Sequence, residues 1–318
     1  SFYGIYVNPG TAVTSNVHGN TITNMNWTCT GSTATYWVGI MVERGNANVG
    51  TVTGNTIGSS TGNGAIQIQF GSNSEVYAYS LLAWGTGTLN FENNIAGSIT
   101  ISCSNSSNSV NFYGTISGNG AINIQNNIIG STTTSNSIQS TSTSGSNPQL
   151  MYGMRNNSTG SVLINNNTIA NLTNGTTNAT IGTAGVINGI TSTAGTATIT
   201  NNTIRNLTIA NANTSANHNA SVGGIVLSGT SAVNTVTGNT IHSLTNTFSN
   251  FQGNIYGIYF TGNTGANVVS RNFIHTLSAS NASGATVTGI RAQSGVTTYS
   301  NNIISIGDNA AAQFYGIF

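Results

Sequence analysis

Charge is scarce in this chain. Only 3% of its 318 residues are charged, against about 25% in an ordinary soluble domain. The five cations are all Arg (Arg44, Arg155, Arg205, Arg271 and Arg291), and Lys is absent. Nucleic-acid affinity rests on neutralising many phosphates with Lys and Arg, so no nucleic-acid partner is expected. A polybasic membrane patch is excluded for the same reason. No apolar run approaches the ~18 residues of a membrane span, so no membrane insertion is expected either. The chain has only two Pro and two Cys. Cys29 and Cys103 are too few for a disulfide framework, and no Cys-x-x-Cys metal or redox spacing exists. No cofactor or metal site is expected.

Asn is abundant, at about one residue in six, with 40 Gly and many Thr and Ser. Hydrophobic residues still make up 37% and net charge is only +1, a balance that argues against disorder. The composition describes an all-β, turn-rich protein with an almost uncharged surface.

A repeat organises it. Asn20, Asn55, Asn93, Asn127, Asn167, Asn202, Asn239, Asn272 and Asn302 each open an Asn-x-Ile triplet. The triplets end at Ile22, Ile57, Ile95, Ile129, Ile169, Ile204, Ile241, Ile274 and Ile304, and they recur about every 35 residues. In phase with them, Gly precedes Ile or Met at Gly4, Gly39, Gly153, Gly189, Gly224, Gly257, Gly289 and Gly316. The marker degrades between residues 60 and 120, where Gly64-Ala65-Ile66 and Gly114-Thr115-Ile116 are its nearest equivalents.

The spacing carries geometry. Val236 and Ile241 are both apolar yet an odd number of residues apart, so a flat strand would point them to opposite faces. A turn at Gly238-Asn239 restores the parity, since Gly and Asn tolerate left-handed backbone angles. Pairs such as Ile204/Leu207 and Ile241/Leu244 imply a second, slighter bend. Short strands with a bend every few residues wrap into a coil, each strand stacking on its equivalent in the next turn. The expected fold is an all-β, right-handed parallel β-helix of about nine coils, a single domain over 1–318. At about 4.8 Å per coil it is a rod about 43 Å long.

These Gly-Ile and Asn-Asn-Thr-Ile units resemble the secreted β-strand-repeat surface proteins of Bacteroidetes-type bacteria. The corner asparagines resemble the internal Asn ladder of pectate-lyase-type β-helices. The resemblance implies export to the extracellular or cell-surface space and a structural motif, and it brings no catalytic residue with it.

Candidate chemistry is sparse. The carboxylates are Glu43, Glu75, Glu92 and Asp308, and glycoside hydrolysis needs two within about 5 to 9.5 Å. His242 and His275 occupy one repeat position with Arg205 a coil earlier, an outward column more readily solvated than metal-binding. Cys29 and Cys103 lie two coils apart and are expected as thiols. Thr-x-Thr segments (Thr51/Thr53, Thr198/Thr200, Thr235/Thr237, Thr286/Thr288) would make an ice-binding face if they formed one flat array. Tyr36, Trp37, Tyr77, Tyr79 and Trp84 either stack on sugars or fill gaps where the repeat breaks.

The chain begins at Phe2-Tyr3-Gly4-Ile5 and stops at Phe314-Tyr315-Gly316-Ile317, both in the same phase, and neither resembles a solenoid cap. The expectation is a non-enzymatic structural or adhesive rod. Its ends would meet another copy or continue in a longer chain, with glycans as candidate partners. The competing expectations are a carbohydrate-binding or polysaccharide-degrading β-helix and an ice-binding solenoid.

Overall fold

The computed structural model describes residues 1–71, 76–180, 182–229, 232–263, 265–280, 284–307 and 312–318. Within them every pairing between strands is parallel, and each strand meets its equivalent from the neighbouring turns. The chain winds as a parallel β-solenoid with three faces. The first face has ten strands, from Phe2–Val7 to Gln313–Ile317, and the second has nine, from Ser15–Val17 to Thr297–Ser300. The third face joins thirteen pieces. In early turns it holds two strands per turn, such as Thr56–Gly58 and Ile66–Phe70. From Thr168–Thr176 onward these fuse into one.

The sequence explains the corner between the second and third faces. The ladder Asn follows a residue in the left-handed region at eight of nine corners: Gly19, Asn93, Asn126, Asn166, Asn201, Gly238, Arg271 and Asn301, with φ between 54° and 69°. Only Gly54 departs. This bend aims Val236 and Ile241 inward together, and both are fully buried. The second bend, on the third face, uses the same device at Asn24, Ser98, Asn171, Asn206, Ser243 and Thr276.

One rung differs from the sequence expectation. The third-turn ladder residue is Asn94, not Asn93: Asn55 Nδ2 donates to Asn94 Oδ1 at 2.8 Å, and Asn94 Nδ2 to Asn127 Oδ1 at 3.0 Å. Asn93 is the left-handed corner residue before it. The shift carries through to the core column, where Ala96, not Ile95, pairs with Ile57 and Ile129. Ile95 pairs with Thr56 and is only half buried. An Asn-Asn-Ile string satisfied the pattern one residue early.

A compensating change explains why Ala is tolerated there. In other turns the Gly of the Gly-Ile pair lies against the column Ile. A Cβ built on Gly224 would sit 2.5 Å from Ile241 Cγ2, and one on Gly153 would sit 2.5 Å from Ile169 Cγ2. The equivalent position in the third turn is Ser80, fully buried between Gly39 and Gly114. Gly opposite Ile has become Ser opposite Ala, which refills part of the volume lost with the isoleucine in a close-packed interior. The irregular spacing also has a cause. Loops 59–65 and 131–137 are inserted at the second bend of the second and fourth turns. They meet across the shorter third turn, where Ser131 Oγ donates to Ser60 O at 2.7 Å and Gly62 N to Thr134 Oγ1 at 3.1 Å.

Gly224→Ser should therefore destabilise by about 1–3 kcal/mol through overpacking. Ile241→Ala added to it should recover part of that loss, a coupling of about 1 kcal/mol in a double-mutant cycle. Additive denaturation midpoints would show that the two positions do not share volume. Arg271 holds a left-handed angle that costs a residue with a Cβ about 1–2 kcal/mol. Arg271→Asn should raise stability by up to about 1 kcal/mol, read as a higher thermal midpoint.

Candidate functional site

The first face carries two apolar layers. Inward, Trp37, Ile40 and Val42 and their equivalents enter the main core. Outward, on the same strands, Val38, Met41, Tyr79, Leu82, Tyr113, Tyr152 and Val186 form a separate buried cluster. Alternation along each strand produces both layers, with one break in parity at the Gly39 position between Val38 and Ile40.

Its spine is a stack of tyrosines. Tyr36 stacks on Tyr77 (5.7 Å between ring centroids), Tyr77 on Tyr79 (5.8 Å), Tyr79 on Tyr113 (5.1 Å) and Tyr113 on Tyr152 (5.3 Å). The Arg155 guanidinium closes the column, 5.0 Å from the Tyr152 ring centre and 5.9 Å from that of Tyr113. Burial pushes the Tyr79, Tyr113 and Tyr152 hydroxyls above their ordinary pKa, and at Tyr113 and Tyr152 the Arg155 charge partly offsets this. These three hydroxyls stay protonated at neutral pH.

The sequence singled out Tyr36, Tyr77, Tyr79 and Trp84, and all four belong to this face. Trp37 does not: it is fully buried, donates to Met25 Sδ at 3.4 Å and stacks on Phe2 inside the solenoid. Tyr113, Tyr152 and Arg155 were missed, although register places Tyr113 beside both Tyr79 and Tyr152.

Beside the stack, at the end of the strand Val76–Ala83, Trp84 is 55% exposed. It divides two clefts. One, of about 240 Å³, is lined by Tyr79, Leu82, Ile116, Gly118 and Asn157. The other, of about 490 Å³, is lined by Met41, Glu43, Arg44, Gly85 and Thr86. Glu43 accepts from Tyr6 and lies 3.8 Å from Arg44.

Of the other carboxylates, only Glu92 is among the described residues, and it does not line these clefts. Glu92 ends a strand of the second face, and Glu75 and Asp308 lie outside the described residues. Among the described residues no group of three His, Cys, Asp or Glu side chains could hold a metal ion. Cys29 and Cys103 both pair with Phe70, which separates them, and form no disulfide. The Thr-x-Thr segments do not form one array. Thr198/Thr200 and Thr235/Thr237 pair on the second face, Thr286/Thr288 stand on the first, and Thr51/Thr53 lie in a bend.

The second face instead carries an outer amide ladder that the sequence reading did not find. Asn48 Nδ2 donates to Asn16 Oδ1 at 3.0 Å, Asn90 to Asn48 at 2.8 Å and Asn123 to Asn90 at 2.7 Å. The repeat spacing of Asn16, Asn48, Asn90 and Asn123 was its only signal.

On the third face Arg205, His242 and His275 occupy one register column. The two imidazoles stack at 4.6 Å and 7°, a parallel arrangement that does not converge on a shared ion. Arg205 Nη2 instead donates to Thr132 O of an inserted loop at 2.5 Å.

No protein-family model matches the chain, and no curated protein or solved structure matches it.

Burial, then the charges of His275 and Arg205, hold the His242 pKa below its ordinary value. The folded chain thus takes up that proton less readily than the unfolded chain, and stability is lost as pH falls below about 6.5. The thermal midpoint should drop between about pH 7.5 and about pH 5. His242→Gln should flatten that drop, and an unchanged slope would assign it to other groups.

Proposed function

We propose that the chain is a non-enzymatic structural and adhesive β-solenoid of an extracellular or cell-surface rod, extended by end-on stacking of further turns. The surface supports this reading: it is nearly free of charge, rich in Asn, Thr and Ser, and resembles the β-strand-repeat surface proteins. The observation that carries it is the pair of open edges. At one end Phe2, Ile5, Val7, Ile22 and Trp27 are only partly buried, and at the other Ile304 and Phe314. Ile303 and Ile317 are 62% and 52% exposed.

The polar ladder also leaves complementary ends. Every interior rung accepts at Oδ1 from the turn before and donates to the turn after. Asn20 thus offers an acceptor outward at one end, while Asn302 offers donors at the other. Such head-to-tail complementarity is heterologous and generates a linear filament when it does not close. A further β-helical turn would satisfy both edges, supplied by a second copy of this chain or by the same polypeptide. Inward-pointing Lys, the usual guard against edge pairing, is absent from the sequence.

Electron microscopy of purified chain should show rods of several subunits, lengthening with concentration. Ile317→Lys should shorten them to single subunits without lowering the thermal midpoint. Monodisperse single rods of the unaltered chain at every concentration would overturn end-on stacking.

A further inference from the structure

We propose that the Trp84 surface is a binding site for a neutral, hydroxyl-rich oligosaccharide, with the Trp84 ring as stacking platform and the Asn157 amide as hydrogen-bond donor. The inference deepens the adhesive part of the proposed function, rests on it, and names the class of ligand.

The site is rigid because it continues the sheet. Val42, Ala83, Ser117 and Asn156 share one register column, so the residues after them, Glu43, Trp84, Gly118 and Asn157, succeed one another along the rod. Their backbones stay in the ladder: Trp84 N donates to Val42 O at 3.0 Å, Gly118 N to Ala83 O at 2.7 Å and Asn157 N to Ser117 O at 3.0 Å. Trp84 therefore stands on the scaffold and not on a loose loop.

Gly118 creates the slot. It lies between Trp84 and Asn157, and a Cβ there would come within 2.6 Å of the Trp84 carbonyl oxygen. With no side chain between them, the Trp84 indole and the Asn157 carboxamide line one cleft across two turns, about 9.6 Å of rise. Leu82 and Ile116 line the cleft between them. A pyranose fits that combination, with one C–H face to lay on an aromatic ring and hydroxyls at its rim. The aromatic platform and the few placed polar groups are what ligand sites of this type need.

Asn157 is oriented for this role. Its Oδ1 accepts from Arg155 Nε at 3.0 Å and from Thr193 Oγ1 at 2.9 Å. With the oxygen held by protein, the NH₂ is directed to the ligand as a donor. Charge selects the ligand further. Glu43 and Arg44 balance each other on the far side of Trp84, and the adjoining tyrosines are neutral. Arg155 is the one unbalanced cation beside the cleft, with its guanidinium over the Tyr152 ring and its Nε on Asn157; a single guanidinium is no cluster for a polyanion, whereas a neutral glycan loses no ion solvation on entering. The two clefts flanking Trp84 lie in series, which suits consecutive sugar units of one chain.

The test is titration of the full chain with cellohexaose, xylohexaose, laminarihexaose and mannohexaose, with hexagalacturonate as the acidic comparison. Binding is read by affinity electrophoresis and by tryptophan emission. Trp37 is fully buried and Trp27 half buried, so a ligand-dependent emission change reports chiefly on Trp84. At least one neutral hexasaccharide should bind. Trp84→Ala should weaken it by about tenfold or more and Asn157→Ala by severalfold, with thermal midpoints unchanged. The proposal is overturned if no neutral sugar binds, if only hexagalacturonate binds, or if Trp84→Ala binds as the unaltered chain does. Loss of sugar binding in a chain that still forms rods overturns this site and leaves the scaffold reading standing. Binding retained in Ile317→Lys single subunits would separate the two in the other direction.

Discussion

The structure depends on one interaction, a buried carboxamide that satisfies all its hydrogen-bonding groups only when another sits directly above it. At Asn202 the Nδ2 donates to Asn239 Oδ1 at 2.9 Å and to Ile164 O, in the turn before, at 3.0 Å. Its backbone N–H donates to the same Asn239 oxygen at 2.9 Å. Its own Oδ1 accepts from the backbone and side-chain nitrogens of Asn167. Seven interior rungs, from Asn55 to Asn272, are at most 1% exposed. Burying an amide without such partners costs on the order of 1–3 kcal/mol, so turns cannot slip past one another without orphaning a whole column. The ladder sets the register of the solenoid, and the apolar columns follow.

Two faces of the rod are specialised on top of that constraint. The second face repeats the amide-stacking device outside, through Asn16, Asn48, Asn90 and Asn123, with donors pointing the opposite way along the axis. The first face stacks tyrosines instead. Both exploit the same fact, that in-register parallel strands place like side chains at one spacing, so planar groups pile up without rearrangement. The proposed sugar site sits beside the tyrosine stack, at the end of the same strands, where Gly118 puts no side chain between Trp84 and Asn157.

Much of this was legible because a solenoid makes one local pattern count many times. The parity argument at Val236 and Ile241 correctly demanded a corner, and the left-handed Gly238 supplies it. The third turn misled the reading because Asn93 and Asn94 are adjacent. Only the hydrogen bonds distinguish the one that turns the chain from the one that enters the ladder. The Ser80–Ala96 exchange was hidden for a related reason: the two partners lie on different strands of one turn, and their complementarity is a matter of volume, not of motif.

The sequence by itself determined the coil, its period, the corner chemistry and the near absence of charge, because each is set within a few residues and repeated. Only the tertiary structure decided which aromatics face outward, that Trp37 is interior while Trp84 stands between two clefts, and that Tyr113, Tyr152 and Arg155 complete one column. Those relations join residues from successive turns, whose alignment depends on loops of unequal length. A regular period predicts that turns stack; which side chains meet is decided by register, and register is set by packing.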